Sequence, residues 1–191
     1  FIQCAYDLAK RDALFASFAQ QRDEDILNFA SEHNKDLEGF LGMLATIMNC
    51  IYVSELFRSV GMQTNVLTPF ECGSFTKLFS KDRANKYFAK GMVVFFAGGT
   101  GHPFFSTDMA VVLRAIEVDA DLILLAKAVD GVYSDDPRSN PSATKYAEIS
   151  IAEVIEKNLQ VMDMTASILA RDNKMPMWVF GLNEENSIVN T

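Results

Sequence analysis

The sequence has few of the residues that cross-link a chain or bind metal ions. Among 191 residues there are three cysteines and two histidines. Cys4, Cys50 and Cys72 are far apart and odd in number, so they form neither a zinc-ligand pattern nor a redox pair. We expect them to be free thiols in a reducing compartment.

Long apolar runs are also absent. The longest, around Met92–Phe96 and Leu122–Ala126, have the length of strands, whereas a membrane span needs about eighteen residues. The N-terminus is acidic and amphipathic, unlike the basic and then apolar order of a signal peptide. We therefore expect a cytoplasmic protein with no membrane partner.

Positive charge is in deficit, since 17 Lys and Arg stand against 25 Asp and Glu, which gives a net charge of −8. Such a surface repels polyanions, so we do not expect nucleic acid as a partner. A small nucleotide remains compatible with this charge, because it arrives with a magnesium ion and local backbone amides can bind it.

Residues 1–38 contain neither glycine nor proline, and apolar residues recur there at helical spacing. We interpret them as a divergent helical segment whose helices end near Asn34. From Gly39 the pattern changes to helices that alternate with short apolar strands. The sequence thus predicts a helical segment over 1–38 and an α/β domain over 39–191.

The alternation after residue 39 predicts a three-layer α/β sandwich, with a mostly parallel sheet covered on both faces by helices. The helix over Leu41–Val60 is apolar all round and is expected to be buried. The other predicted helices are Phe75–Ala89, one from Ser106 to Glu117, one opened by a capping box of Ser150 and Glu153, and Asp163–Asn173. The predicted strands are Gln63–Leu67, a fully buried strand over Met92–Ala97, and two further buried strands, Asp121–Lys127 and Pro176–Phe180.

Two loops follow predicted strands at the sheet edge where ligands bind in parallel sheets. The first, Phe96–Asp108, is rich in glycine, which lets a backbone approach a ligand closely. Its adjacent Phe104 and Phe105 could sandwich a flat base. A tight strand-to-helix turn would explain the same residues, and the glycines alone do not decide between the two. No lysine follows as in a phosphate loop of the GxxxxGK[ST] kind.

The second loop, Ala126–Pro137, contains two turn signals, Asp130-Gly131 and Asp136-Pro137. Tyr133 lies between them and could stack on an adenine, while a nearby carboxylate could accept hydrogen bonds from ribose hydroxyls. Taken alone, such a loop is more often structural.

Together the loops resemble the uridylate kinase signature of the amino-acid-kinase fold. The matching strings are Gly99-Thr-Gly-His-Pro-Phe-Phe-Ser-Thr-Asp108, Val129-Asp-Gly-Val-Tyr-Ser-Asp-Asp-Pro137, Val161-Met-Asp163 and Gly42-Met-Leu-Ala-Thr46. The resemblance extends over about residues 39–180. It implies transfer of the γ-phosphoryl group from ATP, with Mg²⁺, to UMP in pyrimidine nucleotide synthesis.

The resemblance also implies roles for particular residues and an assembly. Asp108 corresponds to the acidic residue that orients catalytic lysines, and Lys127, Tyr133 and Asp136 would bind ATP, with Lys127 also catalytic. UMP would be bound by Thr100, Gly101, His102, Pro103, Phe104, Phe105, Ser106 and Thr107. Family members are typically homohexamers, so a homo-oligomer is expected, with the Leu41–Val60 helix in the contact or, equally, in the core.

The match fails in two places. The Lys-x-Ser-Gly motif and the glycine-rich phosphate loop of the family are not recognisable in residues 1–38. Ala128 stands where the family has a lysine, and Lys127 where it has a threonine. A shift of one residue points a strand side chain to the other face, unless a bulge re-aims it. We therefore expect little or no turnover from this chain, and the alternative is a catalytically inactive nucleotide-binding or assembly-forming relative.

Overall fold

A computed structural model of the chain describes residues 35–159, 161–183 and 186–191. The helices predicted before Asn34 lie outside these residues, and the division at residue 38 remains a prediction. The chain forms two compact units, of which unit 1 ends at Thr107 and unit 2 begins at Asp108. Each is described by itself.

Unit 1 contains a three-stranded parallel sheet. Its described elements are α1 (Lys35–Ser59), β1 (Thr64–Thr68), β2 (Lys77–Leu78), α2 (Lys81–Phe88) and β3 (Val93–Phe96). The strand order is β2-β1-β3, and Val66 pairs with Phe95 across the sheet. Because β1 is the central strand, it is the most completely buried of the three.

The prediction of a helix over Phe75–Ala89 is wrong for its first part. Lys77–Leu78 forms the short edge strand β2, since the Phe79 amide donates to the Thr68 carbonyl at 2.8 Å and extends the pairing. The helix begins only after Ser80, whose side chain accepts from the Arg83 amide and caps it. Local capping chemistry therefore sets this boundary.

Helix α1 is apolar all round, but only one of its faces is buried. Met43 and Ile47 are buried on the face toward β1 and β3. Beside this buried face runs an exposed apolar stripe, formed by Leu37, Phe40, Leu44, Met48 and Tyr52. The prediction of a helix buried on all sides is therefore wrong for the described residues.

By length and composition alone, Gly39–Ser59 could cross a membrane. The sequence did not predict this, because polar residues interrupt the apolar run. This is weak evidence for a membrane protein, because the core helix of a soluble protein passes the same test. Most of this segment is not buried in the structure, and its exposed apolar residues are those of the stripe.

Unit 2 has a two-stranded parallel sheet packed against helices. Its elements are α3 (Thr107–Glu117, which starts at the unit boundary), β4 (Ile123–Lys127), α4 (Ile151–Glu156), α5 (Met164–Asp172), β5 (Met177–Gly181) and α6 (Ser187–Asn190). Strands β4 and β5 pair with Leu125 opposite Val179. The core contains Val112, Ile123, Leu125, Ala166, Ala170 and Met175.

The prediction of buried strands is wrong in part: all four residues of β3 are only half-buried, and β4 and β5 both contain exposed residues. Leu124 and Trp178 face each other in the register and are 53% and 57% exposed. Ile123 and Leu125 alternate with Leu124 and are buried. A continuous apolar run does not reveal this alternation, because both faces of the strand have apolar side chains.

The predicted capping box is confirmed. Ser150 and Glu153 form a reciprocal capping box at the start of α4. Asp163 caps α5 by accepting from the Ala166 amide at 2.9 Å. Every strand pair within the described ranges is parallel, and the α/β fold class is confirmed.

Candidate functional site

The glycine-rich loop of unit 1 leaves β3 in a conformation that requires glycine. Gly98 has φ of +80°, and a Cβ placed there would lie 3.1 Å from Pro69. Its amide donates to the Thr46 hydroxyl at 2.9 Å, which ties the loop to helix α1. The loop is thus anchored before it reaches the predicted nucleoside residues.

A cavity of about 440 Å³ lies between this loop and helix α1. Its size falls in the usual range for small-molecule sites, roughly 300–1,000 Å³. Five of the predicted UMP-binding residues line it, namely His102, Pro103, Phe104, Phe105 and Thr107. Thr100, Gly101 and Ser106 are not among its lining residues.

The two phenylalanines of the loop are available to a ligand. Phe104 is 78% exposed and Phe105 is 50% exposed. The His102 and Phe105 rings meet edge to face, with centroids 6.3 Å apart. Thr100 accepts from the His102 amide at 3.2 Å, so its hydroxyl shapes the turn.

Helix α1 supplies four lining residues that the sequence analysis did not assign to the site: Gly39, Gly42, Met43 and Thr46. Their spacing of three, four and seven residues places them on one face of a helix. A Cβ at Gly39 would lie 2.4 Å from the Pro103 Cβ, so the loop packs directly on the helix backbone. Two glycines on one helical face were the signal that could have identified this wall.

In unit 2, Asp108 and Lys127 form an ion pair. The Lys127 Nζ lies 3.0 Å from the Asp108 Oδ1, and the side chains are 29% and 24% exposed. Asp108 is in the first turn of α3, where the helix dipole favours a carboxylate, and Lys127 is the last residue of β4. The two residues predicted to be catalytic are therefore in contact.

Lys127 also lines a second cavity, of about 470 Å³, in unit 2. Tyr133 and Asp136, the other predicted ATP-binding residues, line the same cavity, whereas Asp108 does not. The same cavity is also lined by three residues that were not predicted from the sequence, Arg138, Lys157 and Asn158. The last two follow helix α4, and no motif marked them.

The loop that lines this cavity is held by side-chain hydrogen bonds. Tyr133 donates its hydroxyl to Asp130 Oδ1 at 2.6 Å, and Lys145 lies 2.6 Å from Asp130 Oδ2. These bonds, first from Lys145 and then from Tyr133, lower the pKa of Asp130 below its ordinary value of 3.8. Asp136 accepts from the Arg138 amide at 2.9 Å, which stabilises the turn after the tyrosine.

The described residues contain no group of three or more His, Cys, Asp or Glu side chains that could hold a metal ion. A magnesium ion that arrives with a nucleotide does not require such a group, because Mg²⁺ usually takes one or two carboxylates and completes its shell with phosphates and water. Asp136 lines the cavity and could supply one such oxygen.

Comparison with known proteins gives consistent similarities. The profile of the amino acid kinase family matches residues 6–181. A uridylate kinase of Rickettsia bellii is 45% identical over 149 residues, which cover 78% of this chain and 62% of the relative. The chain therefore spans less than two thirds of the length of that curated relative.

Solved structures show the same similarity. A UMP kinase from Ureaplasma parvum superposes with a TM-score of 0.81 at 34% identity, over 85% of this chain and 71% of that one. A UMP kinase from Bacillus anthracis superposes with a TM-score of 0.79 at 35% identity, over 82% and 66% of the two chains.

Proposed function

The chain belongs to the amino acid kinase family, and we propose that it acts as a UMP kinase, which transfers the γ-phosphoryl group of ATP to UMP to give UDP. The observation that carries the proposal is the ion pair of Asp108 with Lys127, which lines the unit 2 cavity. Phosphoryl transfer needs positioned positive charge more than covalent chemistry. A lysine held by a carboxylate supplies such a charge.

The unit 1 cavity is assigned to UMP. Its exposed phenylalanines can contact the faces of a uracil ring, and the Thr107 hydroxyl can bond a polar edge. Thr100, Gly101 and Ser106 act in this proposal by shaping the loop rather than by lining the cavity.

The unit 2 cavity is assigned to ATP. Tyr133 offers an aromatic surface, Asp136 an acceptor, and Lys127, Arg138 and Lys157 positive charges for phosphate oxygens. Magnesium would enter with the nucleotide and neutralise the charge that develops on the moving phosphoryl group.

The non-catalytic alternative is not favoured. It rested on a lysine and a phosphate loop that were not recognised in residues 1–38, yet the family match begins at residue 6. The 45% identity to a uridylate kinase also supports an enzyme. We therefore expect UDP formation by this chain, in place of the little or no turnover expected from the missing motifs.

The assignment of the two cavities is tested with one variant in each. Phe105→Ala should raise KM for UMP and leave KM for ATP unchanged, whereas Tyr133→Ala should do the reverse. If both variants raise the same KM, or neither does, the assignment is wrong.

Self-association through α1 is part of the proposal, with a homohexamer as the expected assembly. The exposed stripe of α1 is a contiguous apolar surface of the kind that marks protein–protein contacts. This role, rather than insertion into a membrane, accounts for the apolar character of α1 in a cytoplasmic protein. Leu44→Lys should reduce the sedimentation coefficient, and an unchanged value would exclude the stripe as the contact.

A further inference from the structure

A polar cluster lies behind the loop that lines the unit 2 cavity. Asp130 uses one carboxylate oxygen to accept from Tyr133, at 2.6 Å, and the other to accept from Lys145, also at 2.6 Å. Tyr133 and Gly131 line the cavity, but Lys145 does not. The Lys145 ammonium group therefore contacts Asp130, which in turn bonds the Tyr133 hydroxyl on the cavity wall.

The backbone of Lys145 is fixed against the same loop. Tyr133 and Lys145 form an isolated antiparallel bridge. The Tyr146 amide donates to the Val132 carbonyl at 2.8 Å, and the Ser134 amide donates to the Thr144 carbonyl at 2.9 Å. The segment with Lys145 thus runs beside the segment with Tyr133 as a short two-stranded ribbon.

The side chain of Lys145 crosses Gly131 on its way to Asp130. A Cβ at Gly131 would lie 2.4 Å from the Lys145 Cε, closer than any real contact. The end of the lysine side chain therefore lies directly over Gly131, and a side chain at this position would displace it.

We propose that Lys145 is a positioning residue for nucleotide binding. It holds Asp130, Asp130 holds the Tyr133 hydroxyl, and the tyrosine ring is thereby kept in one orientation on the cavity wall. This inference rests on the proposed assignment of that cavity to ATP. A ring fixed before binding loses less conformational freedom when the ligand arrives, and the affinity is correspondingly higher.

A purely structural role would have different consequences. The Lys145 and Asp130 side chains are 46% and 34% exposed, and ion pairs of that exposure contribute little to global stability. A structural role would therefore change the melting temperature slightly and leave nucleotide affinity unchanged. A positioning role changes affinity for one substrate only.

The experiment is calorimetric titration of the chain and its variants with Mg-ATP and, separately, with UMP. We expect Lys145→Met to weaken Mg-ATP binding about three- to tenfold, the size of one ordinary hydrogen bond, with UMP affinity unchanged. Lys145→Arg keeps a cation near Asp130 and should recover part of the loss. As a control, Lys174→Met removes one exposed positive charge just before the start of β5 and should change neither affinity.

A double-mutant cycle tests whether Lys145 affects nucleotide binding through Asp130 and Tyr133. Because both residues act through Asp130, Lys145→Met combined with Tyr133→Phe should weaken Mg-ATP binding no more than the more severe single variant. Additive effects would contradict the relay. Equal Mg-ATP affinity in Lys145→Met and the unsubstituted chain would overturn the positioning role.

One readout needs no nucleotide, so it separates this inference from the proposed function. Amide hydrogen exchange over residues 130–134 should be faster in Lys145→Met than in Lys174→Met. Equal exchange would overturn the inference even if ATP binds well. Absence of Mg-ATP binding by the unsubstituted chain, with exchange faster as expected, would instead contradict the assignment of the cavity to ATP and, with it, the nucleotide role of Lys145.

Discussion

Replacing Lys127 by methionine removes the charge of the Asp108–Lys127 pair and keeps a side chain of similar length. The pair has an Nζ to Oδ1 distance of 3.0 Å, and its side chains are 29% and 24% exposed. An ion pair with this much solvent contact contributes about 1 kcal/mol or less to stability. For a chain of this size we expect the melting temperature to fall by about 2–4 °C at most.

The effect on catalysis should be much larger. If Lys127 neutralises charge on the moving phosphoryl group, its loss should slow turnover about a hundred- to a thousandfold, equivalent to roughly 2.7–4 kcal/mol. Asp108→Asn removes the partner and should also slow turnover, because the lysine is then no longer held. The difference between a small stability loss and a large rate loss distinguishes a catalytic pair from a structural one.

The assay is single-turnover UDP formation with enzyme in excess, together with thermal melts of the same samples. Lys174→Met, which removes an exposed charge elsewhere in unit 2, is the control and should match the unsubstituted chain. A Lys127→Met rate within a factor of about five of the unsubstituted rate would fit a surface ion pair and refute the catalytic role.

Three further predictions concern stability and pH. Gly39→Ala should destabilise unit 1, because its Cβ would lie 2.4 Å from Pro103, whereas Gly42→Ala, with nothing within 4 Å, should stabilise α1 by about 0.5–1 kcal/mol in denaturant titrations. Ser150→Ala removes the capping box of α4 and should cost about 1 kcal/mol, measured by urea unfolding, where an unchanged midpoint would count against it. Asp130 has a lowered pKa, so the stability from its bonds is fully present above pH 3.8 and is lost as the pH falls through the pKa of the folded state. Asp130→Asn should remove that part of the acid sensitivity in pH-dependent melts.

Much of the fold was predictable because its signals are local. The strand Met92–Ala97 was predicted within one residue at each end of the observed Val93–Phe96. The cap at Ser150 was predicted from a side chain that satisfies a backbone amide three residues away. Such signals do not depend on distant packing.

The errors come from tertiary context. Whether Leu124 and Trp178 are covered depends on what packs on the sheet, and an apolar run does not contain that information. The same holds for the exposed face of α1. At the site, the motifs predicted Lys127, Tyr133 and Asp136. Gly39 and Lys157 were identified only from the structure, as residues that line the two cavities.

The most direct test of the proposed function is the choice of phosphoryl acceptor. Formation of ADP from Mg-ATP is measured with UMP, CMP, carbamate, aspartate or glutamate as the acceptor, and the product is identified by phosphorus NMR. The proposal predicts UDP formation with UMP and a far slower reaction with each of the others. Equal or faster transfer to CMP or to one of the acids, or ADP release that does not depend on UMP, would contradict it.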